Sequence, residues 1–404
     1  MINPRVILCG GVQPTGTLAA RDVMSLALHG GNANVHLKLS DISSAMASNV
    51  PGVLVDLIEL AAYVFAADQA VKRGGARDTG ERSPNPANFT LARVELGPLQ
   101  DQQVLVHNLY MSVDPYMRGR MNEGKSYVPP FEIGKPLDGS AIGEVVESRA
   151  KEFRPGDAVA SGFGWREYFM ASPKDLRPVN REIEPLSVYL GALGMTGMTA
   201  WAGLNLVEVK AGDTIFISGA AGAVGSVAGQ LAKLRGCSRV IGSAGSTAKV
   251  KFLQEECGFD VAFDYKDGPV IDHLRLEAPE GIDIYFDNVG GECLEAGLSA
   301  LRVHGRIIAC GGISGYNEEQ PRPGPSNLFN IITKRLTMKG LIVSDSLDRR
   351  GEFENEMGGY LRAGKVRNKE TVVEGIDQAV GAFLGLFQGK NVGKMVVKLA
   401  ENFR

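Results

Sequence analysis

The pattern of apolar and polar residues divides the chain into a leader, a β-rich part and an α/β part. In the leader, the pattern predicts three short strands and one amphipathic helix, at 5–8, 23–28, 34–39 and 51–72. A polar, proline-bearing linker follows at 76–90. From 89 to about 178, short strands separated by Gly and Pro turns predict a partly closed β-barrel.

Strands and helices alternate from about 190 to about 341, which predicts a doubly wound parallel sheet. The predicted strands are 214–218, 238–244, 261–265, 282–289, 306–312 and 336–343. The predicted helices between them are 223–235, 246–256, 269–278 and 292–301. A helix, a strand, a helix and a last strand follow at 352–363, 370–374, 377–387 and 394–399. We expect the last strand to return to the β-rich part.

Composition and charge indicate a globular protein of two or three domains. The 404 residues are 44% hydrophobic and 22% charged, and a net charge of −3 without a long basic run argues against a nucleic-acid partner. The longest apolar stretch, 53–71, carries three acidic residues and is not expected to cross a membrane. Five cysteines without a C-x-x-C pair favour a reducing compartment, the cytoplasm.

The segment 212–233 combines a short apolar strand, a small-residue turn at 219–225 and a helical pattern. Strand, glycine turn and helix form the phosphate cradle of dinucleotide-binding folds, where backbone N–H groups and the helix N-terminus approach the pyrophosphate. The usual G-x-G-x-x-G spacing would place glycine at position 220, where this chain has Ala220. The turn therefore fits either a cofactor cradle or a strand-to-helix turn that needs glycine for packing alone.

The end of the next strand discriminates between the two nicotinamide cofactors. An NAD site has an acidic residue there for the ribose 2′-hydroxyl, but residues 242–247 contain none. Ser243 and Lys249, which lies one turn into the next helix, would suit a 2′-phosphate instead. The alternative is that Lys249 is an ordinary solvated helix residue.

Three further strand ends place side chains at the sheet edge where ligands bind. Tyr265 could contact the cofactor or cover the edge, and Asn288 could contact the cofactor or form a turn. Tyr316 could donate its hydroxyl to a substrate carbonyl on which charge develops, or only wall the pocket. Residues 89–189 hold no Cys and one His, so we expect no catalytic zinc.

Seven stretches carry a family resemblance. They are NLYMSVDPYMRGRM (108–121), GALGMTGMTAW (191–201), ISGAAGAVGSVAGQLAK (217–233), GFDVAFDYK (258–266), FDNVGG (286–291), PRPGPSN (321–327) after the Tyr316 loop, and GKNVGKMVVKL (389–399). Over about 77–404 the chain resembles the zinc-independent medium-chain dehydrogenase/reductase family. It is similar to the branch of leukotriene B4 dehydrogenase/prostaglandin reductases, plant double-bond reductases and bacterial NADPH-dependent curcumin reductases.

The resemblance implies an α/β fold with two domains behind a small α+β leader at 1–76. A GroES-like, partly open β-barrel would span 77–189 and be completed by 366–404. A Rossmann domain at 190–365 would bind NADPH in its doubly wound parallel sheet. The implied reaction is reduction of the C=C bond of α,β-unsaturated ketones and aldehydes, with hydride to the β-carbon and an enolate held by hydrogen bonds, without a metal. A homodimer is also implied.

The same resemblance implies roles for individual residues. Lys249 and Tyr265 would hold the 2′-phosphate, while Tyr116 would line the substrate pocket beside Tyr316 as the second candidate catalytic residue. The other implied cofactor contacts are Gly219, Ala220, Ala221, Gly222, Ala223, Val224, Gly225, Ser243, Asn288, Asn391, Thr196, Cys310, Gly311, Ile313 and Tyr316 itself. Tyr127 and Phe131 in a pocket loop suggest a bulky apolar or aromatic acceptor.

The first residues depart from the family pattern. The strand that normally opens the barrel is absent or replaced by AADQAVKRGGA (66–76), so we expect an incomplete barrel edge. Residues 1–75 resemble the N-terminal part of bacterial proteins related to 7-cyano-7-deazaguanine synthase, but the S-G-G-x-D-S loop is missing and no nucleotide activity is implied. A quinone reductase and a non-catalytic NADPH-binding interaction protein stay open as alternatives.

Overall fold

A computed structural model describes residues 59–65, 83–318 and 323–401. The strands are β1 Glu59–Phe65, β2 Phe89–Glu95, β3 Val104–Ser112, β4 Ala141–Ser148, β5 Ala158–Ser161, β6 Tyr168–Ala171, β7 Arg177–Pro178, β8 Thr214–Ile217, β9 Arg239–Ala244, β10 Val261–Asp264, β11 Ile282–Asp287, β12 Leu301–Ala309, β13 Thr337–Gly340, β14 Glu370–Glu374 and β15 Lys394–Lys398. The helices are α1 Met117–Arg120, α2 Met195–Leu206, α3 Ala223–Leu234, α4 Thr247–Glu255, α5 Val270–Glu277, α6 Gly291–Ala300, α7 Asn330–Thr333, α8 Arg350–Arg362 and α9 Ala379–Phe387.

The β-rich part forms a mainly antiparallel sheet in the order β14-β15-β3-β4-β5-β7, with β6 also paired to β3. The last strand, β15, returns to this sheet and lies antiparallel to β3, as the apolar pattern predicts. Its core is aromatic, since the Phe89 ring lies 6.1 Å from Trp165 and 5.9 Å from Phe383 between centroids. Phe383 belongs to α9, so the C-terminal helix covers the core of the β-rich part.

The strand β1 corrects two expectations about the leader. The apolar run at 51–72 predicts a helix, but residues 59–65 within it form a strand that pairs antiparallel with all of β2, from Glu59 opposite Glu95 to Phe65 opposite Phe89. Period alone cannot separate a short apolar strand from a helix, and pairing with a neighbouring strand decides here. A strand therefore precedes β2, where we expect one to be absent or replaced, and β1 and β2 form a two-stranded sheet separate from the larger sheet of the β-rich part. The strands predicted at 5–8, 23–28 and 34–39 lie outside the described residues, as does most of the leader.

The α/β part is a six-stranded sheet in the order β10-β9-β8-β11-β12-β13, with every neighbouring pair parallel. The order reverses at β8, which is the switch point of a doubly wound sheet, so the predicted fold class is confirmed. The central strands are fully buried because helices cover both faces, and β8 has an unbroken buried pattern. The carboxyl ends of β8, β9 and β11 meet at one edge, and the candidate site lies there.

The helix α2 was not predicted as a separate element. It is apolar on all sides, with most of its residues buried, so it carries no amphipathic stripe. Gly203 allows it to approach β11, since a Cβ there would lie 2.7 Å from the Phe286 ring. None of the helices in the part of the chain that the structure describes combines the length and apolar character needed to cross a bilayer.

Candidate functional site

The turn between β8 and α3 has the geometry of a phosphate cradle. Gly219 has φ +58°, a conformation that favours glycine, and Gly222 caps the N-terminus of α3. A Cβ on Gly225 would lie 2.7 Å from the carbonyl oxygen of Gly219, so only glycine fits there. The first N–H groups of α3 have no preceding helical carbonyl to bond, and they face the turn with the positive end of the helix dipole.

Ala220 stands where the usual spacing has glycine, but its methyl group points into the sheet and not into the cradle. Its side chain is completely buried, and its N–H donates to the carbonyl of Ser243 at 2.9 Å, which ties the turn to β9. The methyl group lies against Gly242 of β9, where an added Cβ would come within 2.8 Å. The alanine thus packs into the sheet, and Gly242 supplies the space that it needs.

Two lysines and a tyrosine gather at the end of β9. The Lys249 ammonium donates to the carbonyl of Gly389 at 2.8 Å, and the Lys266 ammonium donates to the carbonyl of Gly245 at 2.8 Å. Burial lowers the pKa of Lys249, and the charge of Lys266 lowers it further. Tyr265 is half exposed, and its hydroxyl lies 2.9 Å from the position of a Cβ on Gly245. The cluster is cationic, as the absence of an acid at 242–247 suggests.

Sequence reasoning missed Lys266, although it directly follows Tyr265. Its signal was weak because a lysine after a strand is an ordinary surface residue. Its ammonium lies 5.9 Å from the Tyr265 ring centroid, so it belongs to the same cluster. Ser243 adds an independent observation, because its hydroxyl is buried and, among the described residues, has no hydrogen-bond partner. A buried polar group without a partner is costly unless a ligand satisfies it.

The end of β11 is organised by a buried carboxylate. Asp287 accepts hydrogen bonds from the Tyr285 hydroxyl at 2.6 Å and the Ser218 hydroxyl at 3.1 Å. Its Oδ1 also accepts from the N–H groups of Val289 and Gly290, at 2.9 and 2.8 Å. Burial and this carboxylate raise the pKa of Tyr285 well above its usual value. The network fixes the loop after β11 beside the glycine turn.

Asn288 is placed by the same network. Its side-chain N–H donates to the carbonyl of Ser218 at 2.9 Å, and its backbone N–H donates to the Ser218 hydroxyl at 3.0 Å. The side-chain nitrogen therefore ties the loop after β11 to the end of β8. A cofactor contact through the side-chain oxygen stays a prediction.

The C-terminal loop 389–393 packs directly on the cradle. The N–H of Gly393 donates to the carbonyl of Ala221 at 2.8 Å, and Gly389 accepts the Lys249 bond described above. Asn391 lies between them, and its side-chain N–H donates to the carbonyl of Gly393 at 2.8 Å. Asn391 therefore lies in the loop that contacts the glycine turn, and its contact with the cofactor stays a prediction. Thr196 is buried at the start of α2, where its hydroxyl donates to the carbonyl of Gly191 at 3.1 Å.

The residues after β12 are held by their backbone. The N–H groups of Cys310 and Gly311 donate to the carbonyl of Asp287 at 2.9 and 3.0 Å, and that of Ile313 donates to the carbonyl of Asn288 at 3.3 Å. These three N–H groups are therefore engaged within the protein, so any cofactor contact here would use other atoms. Burial raises the pKa of the Cys310 thiol to about 12, and the Asp287 carboxylate adds to this effect.

Three tyrosines lie near one another at the space between the two sheets: Tyr316 follows β12, whereas Tyr116 and Tyr127 come from the β-rich part. The Tyr316 hydroxyl accepts a hydrogen bond from the N–H of Gly312 at 3.4 Å, and burial raises the pKa of Tyr316. Tyr127 comes from the β-rich part, and its pKa is raised by burial and then by the nearby Tyr316. The pKa of Tyr116 is raised strongly, first by burial and then by the nearby Asp114 and Tyr127. Phenols of this kind stay protonated near neutral pH and can donate hydrogen bonds.

Arg118 joins the two sides of this space, and sequence reasoning missed it. It lies in α1, two residues after Tyr116, and it is almost completely buried. Its Nε donates to Oδ1 of Asn317 at 3.0 Å, and Nη1 donates to Oδ1 of Asn122 at 2.7 Å. Asn317 directly follows Tyr316, so α1 contacts the loop that carries the candidate donor.

A buried ion pair lies behind the site. The Lys394 ammonium donates to Oδ1 of Asp114 at 2.9 Å and to the carbonyls of Val113 and Met395, both at 3.0 Å. The Ser112 hydroxyl donates to the other oxygen of Asp114. The pair connects the DPYMR segment (114–118) of the β-rich part to the end of the 389–393 loop. In the part of the chain that the structure describes, no group of three or more His, Cys, Asp or Glu side chains is placed to hold a metal ion.

Comparison with known proteins gives consistent matches. The family described as N-terminal domain of oxidoreductase matches residues 77–179, and the family described as zinc-binding dehydrogenase matches residues 223–358. The NADPH-dependent curcumin reductase of Escherichia coli (strain K12) is 38% identical over 324 residues, which are 79% of this chain and 94% of that protein. The NADP(+)-dependent 2-alkenal reductase of Nicotiana tabacum is 45% identical over 309 residues, 75% of this chain and 89% of that protein.

A solved structure shares the architecture. The crystal structure of CurA in complex with NADPH from Vibrio vulnificus matches with a TM-score of 0.77 at 36% sequence identity. The match covers 84% of this chain and 99% of that chain. The two chains therefore share the fold over most of this chain.

Proposed function

Since this chain belongs to the medium-chain dehydrogenase/reductase family, in the leukotriene B4 dehydrogenase/prostaglandin reductase and curcumin reductase branch, we propose that it is an NADPH-dependent double-bond reductase. Its acceptors are α,β-unsaturated ketones and aldehydes, the class to which its relatives' alkenal and enone activities point. The predicted cofactor and activity are both confirmed at this level.

The observation that carries the choice of cofactor is the cationic cluster at the end of β9. Lys249 and Lys266 place two ammonium groups near the half-exposed Tyr265, and Ser243 at the end of β9 has a buried hydroxyl that lacks a hydrogen-bond partner among the described residues. A 2′-phosphate would supply the negative charge and the hydrogen-bond partners that this cluster lacks. The cradle at 219–225 would receive the pyrophosphate at the N-terminus of α3. The residues present therefore fit NADPH.

Tyr316 is the residue that we propose to act on the acceptor. NADPH, when bound, supplies the hydride that adds to the β-carbon of the acceptor. The Tyr316 hydroxyl would donate a hydrogen bond to the carbonyl oxygen, where negative charge develops as the enolate forms. A donor of this kind is worth about 3 kcal/mol in the transition state. Its raised pKa keeps the phenol protonated, so that it can donate at neutral pH.

Tyr116 and Tyr127 would form the acceptor pocket opposite Tyr316. Burial supports this placement for Tyr116, while Tyr127 is largely exposed at the mouth of the space between the sheets. An aromatic pocket of this kind suits a bulky apolar or aromatic enone.

We further propose that 77–189 together with 366–404 form the acceptor domain, and that 190–365 form the NADPH domain. The two sheets support this division, since β14 and β15 join the β-rich sheet.

We propose that the protein forms a homodimer through β13. This strand ends the parallel sheet, and its burial pattern is exposed at all of its residues. Met338 on the strand and Phe329 and Ile332 beside it are large exposed apolar side chains. An exposed edge strand with apolar neighbours is a template for pairing with a second copy.

Among the described residues the cysteines at 237, 257, 293 and 310 are free thiols, which supports a reducing compartment such as the cytoplasm.

The dimer is tested by light scattering on the purified protein. Met338→Lys should convert a particle of twice the chain mass into a monomer, because a charged side chain would replace an apolar one at the proposed contact. Leu276→Lys is the control, since Leu276 is also a large exposed apolar residue but lies on α5. A wild-type monomer, or a dimer that survives Met338→Lys, would overturn the proposed edge.

The function is tested by following NADPH absorbance with three additions: a 2-alkenal or enone, a quinone, and no acceptor. We expect rapid oxidation with the enone, and a saturated carbonyl as the product. Faster turnover of the quinone would indicate a quinone reductase. Tight NADPH binding without turnover of either acceptor would indicate a non-catalytic NADPH-binding protein.

A further inference from the structure

We propose that Arg118 is a positioning residue that holds the Tyr316 loop closed over the acceptor through its bond to Asn317. Arg118 and Asn317 are 199 residues apart in the chain and belong to opposite sides of the space between the sheets. The inference rests on the proposed function, because it assigns the loop a role toward the acceptor. It goes beyond that function by naming the contact that sets the position of the donor.

The arginine is built to reach across the space. Its side chain is almost completely buried, which restricts the guanidinium to few conformations. One nitrogen, Nη1, bonds Asn122 on its own side at 2.7 Å, and Nε bonds Asn317 on the other side at 3.0 Å. The planar guanidinium fixes the angle between these two bonds. Arg118 therefore fixes the position of Asn317 relative to α1 and to Tyr116, which directly precedes this helix.

The contacts of the loop leave Tyr316 in need of such a support. The Tyr316 hydroxyl is bonded only weakly to its own loop, at 3.4 Å from the N–H of Gly312. Upstream, the backbone of Ile313 and Ser314 is tied to the loop after β11, at 3.3 and 3.2 Å. Asn317 provides a tie downstream of the tyrosine. With both sides fixed, the phenol stays directed toward the space where the acceptor carbonyl would lie.

This arrangement predicts a selective kinetic effect. Loss of the tie would let the loop move away from the acceptor while the cradle, Lys249 and Lys266 stay in place. NADPH affinity should therefore be kept, whereas turnover of the acceptor should fall. A small alkenal should be affected more than a bulky aromatic enone, because the bulky acceptor would hold the loop by its own contacts.

The test compares Asn317→Ala with Asn122→Ala. Both variants remove one hydrogen bond from the same guanidinium, but only the first breaks the tie across the space. For Asn317→Ala we expect kcat/KM for a small alkenal to fall about tenfold or more, the loss of one charge-assisted hydrogen bond. The dissociation constant of NADPH, from fluorescence titration, should change less than twofold. Arg118→Lys, which keeps the charge but loses the planar fork, should behave like Asn317→Ala.

Hydrogen exchange gives a readout that needs no turnover. Amides of 312–318 should exchange faster in Asn317→Ala than in the wild type, and those in Asn122→Ala should stay close to the wild type. Equal kinetic and exchange effects in the two variants, or a matching loss of NADPH affinity, would overturn the proposal. If the wild-type protein turns over no enone, the proposed function fails, while the exchange comparison still decides whether the tie exists.

Discussion

Removal of one partner of the buried ion pair between Asp114 and Lys394 should strongly destabilise the protein, and Asp114→Asn tests this. Both side chains are at most 5% exposed, and their closest atoms are 2.9 Å apart. The substitution leaves the Lys394 ammonium buried with two carbonyl acceptors but no countercharge. Breaking a buried pair by removing one partner costs about 3–5 kcal/mol, so we expect the free energy of unfolding to fall by that amount.

Urea denaturation followed by circular dichroism measures this change. The double variant Asp114→Asn/Lys394→Met removes the stranded charge and should recover more than half of the loss, because a buried pair contributes little beyond neutralising itself. Arg275→Gln is the control for an exposed pair, since Arg275 and Asp272 are 71% and 60% exposed at 3.0 Å. It should change stability by less than about 1 kcal/mol. A loss below 1 kcal/mol for Asp114→Asn, or a double variant less stable than the single one, would refute the reasoning.

Three further predictions address the cofactor site and the pH dependence of stability. Lys249→Met should weaken NADPH binding by about tenfold or more, because a charge-assisted bond to the 2′-phosphate is lost. NADH binding should stay unchanged in the same fluorescence titrations. Equal losses of affinity for both cofactors would contradict this role of Lys249. Gly225→Val places a Cβ 2.7 Å from the carbonyl oxygen of Gly219 and should lower the affinity for NADH and NADPH alike, as measured by calorimetry. Unchanged affinity would show that the turn at 219–225 does not bind the pyrophosphate. Burial lowers the pKa of His107 from 6.5 to about 4, so the unfolded state binds the proton first. Stability should then fall as pH decreases from 6.5 to about 4, and His107→Phe, which keeps a ring against Tyr168, should flatten that slope in thermal melts. An unchanged slope in the variant would contradict the assignment to His107.

The elements of the parallel sheet could be predicted from sequence because each has its own local signal. Buried strands such as β8 are short β-branched and aromatic runs, and the helices between them have an amphipathic pattern. Two elements lacked such a signal. The helix α2 is apolar on every side, and β1 lies in a run whose pattern fits a helix equally well. Only packing against β11 and pairing with β2 decide their structure.

The candidate site divides in the same way. The cradle, Lys249 and Tyr265 follow directly after strands of the sheet, so topology alone places them at one edge. The contacts that organise the acceptor side join residues far apart in the chain. Arg118 meets Asn317 across 199 residues, and Asp114 meets Lys394 across 280. No local pattern reports such pairs, so the sequence indicated the chemistry of the site but not what holds its two sides together.

The most direct test of the central claim follows the hydride itself. The protein is incubated with NADPH that carries deuterium at the transferred position and with an α,β-unsaturated ketone, and the product is analysed by NMR. We predict a saturated ketone with deuterium at the β-carbon. An allylic alcohol with deuterium at the carbinol carbon, or recovery of the enone unchanged while NADPH stays bound, would contradict a double-bond reductase.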